Sequence, residues 1–308
     1  MRLVTLDSLE VGGRPGLLLP SGEILDLAAS PTGLAASQWR PQSVVSILAQ
    51  GAEGEAHVAR LLAEYAQASG SERSAWRGSR RLLPGAGTRL LPPIRRPGLL
   101  LMVPGAAGPQ VAGQPQDTYI KNTYIKNPNS AAGPDAEIDL PEGEGQPLHM
   151  LGMIGLTLGR ALHRCNEAEA LRALAAITLV ADLGTMPLVR SPGQQGPGPG
   201  DNRHARQFAG ACVLGPALVT LDEIADDWTL TIEINGRTLQ RSADHAAGIV
   251  RNPATAAQLL TRLARHYAFR PGDVVAVSTG LPECELPATS SVMLRLGSGI
   301  SLPFSTRG

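Results

Sequence analysis

Hydrophobic positions along the first ninety residues fall into two patterns. Short apolar runs at 3–6 (LVTL), 16–19 (GLLL) and 24–27 (ILDL) are separated by glycine, proline and serine, which predicts a small β-meander. Between 44 and 66 the spacing changes, and Val58, Leu61, Leu62 and Tyr65 mark one face of a predicted helix. "LLPPIRRPG" (90–98) is too rich in proline for regular structure in its middle. A boundary placed there divides the chain into a small N-terminal α/β domain, residues 1–90, and a larger domain, residues 91–308.

The larger part reads mostly as short strands. In "TLTIEINGRTLQ" (229–240), Leu230, Ile232 and Ile234 alternate with Thr231 and Glu233, and Asn235-Gly236 supplies a tight hairpin turn. Two helices interrupt the strands. One follows Asn166, which pairs with Glu169 as an approximate capping box. The other follows Asn252-Pro253 and carries Leu259, Leu260, Leu263 and Tyr267. "SPGQQGPGPGDNR" (191–203) reads as an exposed loop. The predicted class is α+β, dominated by β.

Composition narrows the function classes. The 308 residues are 43% apolar and carry 27 basic and 27 acidic side chains, so no overall field draws the chain to nucleic acid or to an anionic membrane. Aromatic residues are only 3% and do not cluster with basic ones, which also argues against a nucleic-acid partner. The first residues, "MRLVTLDSLEVGG", lack a signal-peptide apolar run, and "GLLLMV" (98–103) is too short to span a bilayer. Cys165, Cys212 and Cys284 form neither a zinc pattern nor a disulfide framework. The expectation is a cytoplasmic protein with reduced thiols.

One stretch stands out. "QDTYIKNTYIKNPNS" (116–130) contains Thr-Tyr-Ile-Lys-Asn twice in succession, bringing two of the four tyrosines together with two lysines. Strand alternation puts Tyr124 and Lys126 on one side, where a lysine beside a phenol could orient a carboxylate. The other reading is an edge strand with solvated lysines.

The order of "LLPPIRRPG", "YIKNPNSAAGPDAEIDLP", "VLGPALVTLDEIADDWTLTIEINGRTLQ" and "RPGDVVAVSTG" resembles the fumarylacetoacetate hydrolase family over most of residues 90–280. The resemblance implies a mixed β-roll catalytic domain behind a small N-terminal domain, usually in a homodimer. It also implies chemistry on small oxo-acids, and it aligns Tyr124 to Ser130 with a site-lining segment of the type Phe-x-Lys-Pro-x-Ser. The first copy of the repeat falls where the family carries a lid.

The family holds a divalent ion with a Glu-x-Glu pair and a later Asp. Here the pair aligns with Leu151 and Met153 of "LHMLGMIGLTLGR" (148–160), while Asp182 of "ITLVADLG" (177–184) keeps the third position. A lone carboxylate holds magnesium poorly, so neither a metal nor any other cofactor is expected. The lid's His and Glu have no counterpart in 103–117, and "GTMP" (184–187) replaces the polar run that follows the third ligand. Arg206 stands where the family has a substrate lysine, and Thr279 and Gln240 match substrate-binding positions.

His149 shares strand parity with Leu151 and Met153, so it is a candidate general base with Asp182 as its orienting partner. The alternative is a half-buried histidine bonded to backbone. His204 reads as a loop residue. Two functions remain open. One is a hydrolase or lyase acting on the C–C bond beside the carbonyl of a small oxo-acid, without metal. The other is a catalytically silent relative that binds an anionic ligand or a sister subunit.

Overall fold

The computed structural model describes residues 1–8, 12–30, 33–35, 38, 43–104, 123–141, 148–188, 205–224, 227–242, 252–297 and 299–307. Among these, the strands form one sheet of thirteen and a second of five, with few helices, in agreement with the β-dominated expectation. The longest strands, Leu148–Leu158 and Leu174–Gly184, are buried along nearly their whole length, because the sheet is covered on both faces. That double burial explains why "LHMLGMIGLTL" shows no alternation in sequence.

The large sheet places Cys212–Thr220, Leu174–Gly184, Leu148–Leu158, Val274–Ser278, Leu100–Val103 and Tyr124–Ile125 side by side in that order. Most neighbours are antiparallel, but Val274–Ser278 runs parallel to Leu100–Val103. Only seven positions after Tyr124, Ala131 pairs in parallel with Cys212, at the opposite end of that run. The chain from 124 to 132 therefore ties the two ends together, and the sheet curls into a roll.

The two faces of the Leu148–Leu158 strand meet different partners. A side chain at Gly152 would strike Ile232 Cδ1 at 2.8 Å, so this face lies against the five-stranded sheet and takes its backbone close. Leu151 and Met153 point the other way, into a cluster with Tyr124, Val180, Cys212 and apolar residues of the first ninety. The N-terminal strands extend the same large sheet, since Arg2–Leu6 pairs with Cys212–Thr220 through Leu3 and Leu218.

Most local signals translate, although Tyr267 lies beyond the end of its predicted helix, Pro253–Leu263. Strands form at Arg2–Leu6, Arg14–Leu18 and Ile24–Asp26. Asn235 and Gly236 both take positive φ, at 51° and 75°, as a tight right-twisting hairpin requires. Asn166 with Glu169 and Asn252 with Thr255 complete reciprocal caps of the helices Glu167–Ala173 and Pro253–Leu263. The predicted 44–66 helix is instead two, Val44–Ala49 and Ala52–Gln67, broken at Gly51, whose φ is +57°. Val58 and Leu61 are buried there, but Leu62 is 39% exposed and lies off the packed stripe. Cys212 and Cys284 are buried free thiols and Cys165 is half-buried. No helix among the described residues is long and apolar enough to cross a membrane. The loop at 191–203 lies outside the described residues.

The sheet-to-sheet contact at Gly152 yields a test. Gly152→Ala should cost about 1–3 kcal/mol by forcing Ile232 and Leu230 back from the strand. Ile232→Val removes the touching methyl group, so it should destabilise the alanine background less than the wild type. Urea unfolding of the four proteins of the cycle measures that coupling.

Candidate active site

The tie between residues 124 and 132 carries the site's first two side chains. Tyr124 pairs with Met102, and the Lys126 N–H donates to the Leu100 carbonyl at 2.9 Å, so both side chains face the inside of the roll. Beyond them, the Asn127 side chain caps a single 3-10 turn, Pro128–Ser130, which fixes the direction of the chain. Tyr124 is nearly buried and Lys126 wholly so; the lysine is not a solvated edge residue.

Both reach Asp182, on the central strand Leu174–Gly184. The Tyr124 hydroxyl donates to Asp182 Oδ2, and Lys126 Nζ donates to Oδ1 and, at 3.2 Å, to the Leu183 carbonyl. Arg206 completes the shell, with Nε 3.1 Å from Oδ2 and Nη2 2.9 Å from the Asp182 carbonyl. Its Nη1 donates to the Met186 carbonyl at 3.2 Å and to Glu283 Oε1 at 2.7 Å. Gly184 makes this possible. A Cβ there would lie 2.5 Å from Arg206 Nη1 and 2.7 Å from its Cγ, so only glycine lets the arginine lie flat on the strand.

The side chains of Lys126, Asp182 and Arg206 have no solvent exposure. Burial raises the Asp182 carboxyl, but the Arg206 and Lys126 charges and the Lys126 and Tyr124 hydrogen bonds outweigh it, leaving the group below its ordinary value of 3.8. Burial draws Lys126 below the usual lysine range, opposed by the Asp182 charge. Burial and the neighbouring carboxylate together push the Tyr124 phenol far up, so it stays a proton donor. Burial, aided by the Asp182 charge and opposed by that of Lys126, takes the Cys212 thiol to about 12, which leaves it unreactive.

The other expected residues are placed unevenly. His149 lies opposite Gly184, on the Arg206 side of the sheet as its parity predicts, and is half-buried. Its expected hydrogen bond to Asp182 is not formed: those carboxylate oxygens are taken by Tyr124, Lys126 and Arg206. Nor does the backbone-bonded alternative hold among the described residues, where no hydrogen bond involves the His149 ring. Thr279, just past the Val274–Ser278 strand, is buried with its hydroxyl lacking any partner in the described structure. Gln240 is not brought to the cluster. It sits on the hairpin strand Arg237–Arg241 opposite Ile232, whose side chain packs on the far face of the roll. His204 and the first copy of the repeat, 118–122, lie outside the described residues.

The described residues around Asp182 do not fit a divalent ion. Directly beside Asp182 stands Leu151, with Met153 next on the same face, and these apolar groups cannot replace hard oxygen donors. Both Asp182 oxygens already accept from tyrosine, lysine and arginine. No group of three His, Cys, Asp or Glu side chains among the described residues could hold a metal. Sequence reading missed Glu283. "LPECEL" (281–286) holds two glutamates, Glu283 and Glu285, and nothing local singles out the first.

The ion cluster yields a stability test. Asp182→Ala leaves Lys126 buried without a counter-charge and Arg206 with Glu283 alone, and should cost about 3–5 kcal/mol in urea unfolding. Because the folded carboxyl lies below its ordinary value of 3.8, its contribution is present above that pH and is lost as pH falls through the lower, folded value. The stability gap between wild type and Asp182→Asn should therefore hold steady through neutral and mildly acid pH and close only below about pH 4.

Comparison with known proteins agrees with this architecture. The model of the fumarylacetoacetate (FAA) hydrolase C-terminal family matches residues 106–306. The chain is 25% identical over 188 residues to 2,4-didehydro-3-deoxy-L-rhamnonate hydrolase of Sphingomonas sp. (strain SKA58), spanning 60% of this chain and 61% of that enzyme. It is 25% identical over 288 residues to a mitochondrial oxaloacetate tautomerase of Bos taurus, covering 91% of this chain and 81% of the other. Among solved structures, fumarylacetoacetate hydrolase from Exiguobacterium antarcticum superposes with a TM-score of 0.70 at 16% identity, over 100% of this chain and 99% of that one. Maleylpyruvate hydrolase from Sphingobium sp. SYK-6 in complex with manganese(II) and pyruvate gives 0.63 at 18% identity, over 100% and 99%. By the match over residues 106–306, which spans most of the chain, the protein belongs to the fumarylacetoacetate hydrolase family.

Proposed function

We propose that this chain acts on a small oxo-acid at the C–C bond beside its carbonyl, as a hydrolase or lyase that uses no divalent ion. The observation that carries this reading is the engagement of Asp182 by both Lys126 and Arg206. In metal-assisted chemistry of this class the ion polarises the carbonyl oxygen and stabilises the negative charge that develops on it. Two fixed cations in a dry site supply the same stabilisation through charge-assisted hydrogen bonds. Lys126 gives two of its N–H donors to Asp182 and Leu183, and its third is left for a carbonyl oxygen. Arg206 receives the substrate carboxylate, Thr279 offers an unused hydroxyl, and His149, on the Arg206 side, takes a proton. The names of the relatives support an oxo-acid substrate: one tautomerises oxaloacetate, and one neighbour was crystallised with pyruvate.

A second reading is favoured by one observation. Lys126 and Arg206 are balanced by Asp182 and Glu283, so the cluster already satisfies its own charges. On that reading the chain is catalytically silent and serves as a ligand-binding or partner subunit. In either case the proposed assembly is a homodimer burying more than ~1,000 Å² in total. Sedimentation giving a monomeric mass at micromolar concentration would count against it.

Turnover separates the two readings. Protein dialysed against chelator should still convert at least one oxo-acid in a panel that includes pyruvate and oxaloacetate. Lys126→Ala should lower kcat/KM by about tenfold to a hundredfold, the scale of one charge-assisted contact. Activity lost on chelation and restored by manganese would overturn the metal-free mechanism. No turnover across the panel would favour the silent reading.

A further inference from the structure

Glu283 is built differently from the other members of the cluster. Its side chain is 16% exposed, whereas those of Lys126, Asp182 and Arg206 have no exposure. One carboxylate oxygen accepts from Arg206 Nη1 at 2.7 Å, and the other accepts from the Leu188 backbone N–H at 2.9 Å. A guanidinium and an amide that together grip both oxygens of a carboxylate are the donors an oxo-acid's own carboxylate would use. Meanwhile the backbone on either side is pinned, because Leu281 and Cys284 are buried and Cys284 pairs with Met150. The Glu283 side chain, 16% exposed, reaches solvent between these anchors.

Charge decides what must happen on binding. With two cations and two carboxylates the cluster is neutral, so an added anion would leave a buried, uncompensated negative charge. We propose that Glu283 is a built-in stand-in for the substrate carboxylate, and that an anionic oxo-acid binds by displacing it from Arg206 Nη1 and the Leu188 N–H. This inference builds on the reading of Arg206 as the receiver of that carboxylate. In this state Glu283 sets specificity: a ligand without a carboxylate cannot replace it, and each anionic ligand must outcompete it.

The test substitutes Glu283→Gln, which keeps shape and removes charge. Isothermal titration should show pyruvate and unreactive oxalate binding about tenfold or more tighter to the variant than to the wild type, with neutral pyruvamide unchanged. The same anions should raise the variant's Tm more than the wild type's. Glu283→Ala should tighten binding as well, and keeps the question decidable if the glutamine variant does not fold. Unchanged or weaker anion binding in the variants, with measurable binding in the wild type, would overturn the stand-in role while leaving Arg206 as the oxo-acid site. No binding of pyruvate or oxalate to any of the proteins would overturn both.

Discussion

A single carboxylate, Asp182, organises the interior of the roll. It sits on a central strand, faces apolar Leu151, and is reached by a phenol, an ammonium and a guanidinium from two separate segments. Each of these groups would be costly alone in so dry a place, and each is tolerable only because the others are there. The chain path exists to bring them together. Residues 124–132 cross between the ends of the curled sheet, and Lys126 is delivered by that crossing. Closing the roll and assembling the charge cluster are thus one event in the fold.

Family membership and chemistry pull in different directions here. The chain matches the family over residues 106–306, while Leu151 and Met153, on the Asp182 face, offer no oxygen donor. Positive charge stands beside Asp182, carried by Lys126 and Arg206. Side-chain cations differ from metals in one respect that matters for mechanism. They donate hydrogen bonds along fixed N–H directions, and a lysine can hold or release a proton, whereas a metal ion acts by accepting lone pairs.

What the sequence disclosed was chiefly local or alternating. Asn235-Gly236, Asn166 with Glu169, and Asn252-Pro253 act within a few residues, and each forms as expected. Parity sufficed to place Tyr124 with Lys126 and to set His149 on the Arg206 side. The helix Gly70–Gly78 escaped notice because it buries no residue and so has no apolar stripe, although Ser69 and Glu72 form a capping box. Family order says nothing about which sheet face a hairpin covers, and Gln240 lies opposite Ile232, away from the Asp182 cluster. Glu283 was invisible for a related reason: its partners, Arg206 and Leu188, are 77 and 95 residues away, and no local pattern encodes such a meeting.

The neutral arithmetic of the cluster also constrains how such a site could change. Placing a carboxylate at Leu151 alone would bury one unmatched negative charge beside Asp182, and placing one at Met153 alone would do the same a little farther along. Neither single step gains a metal in return, because two carboxylates still make a poor cage for a hard cation. Truncating Lys126 first would strand Asp182 with half its compensation. The neutral balance of the cluster thus penalises each single added or removed charge, which makes the present arrangement self-preserving.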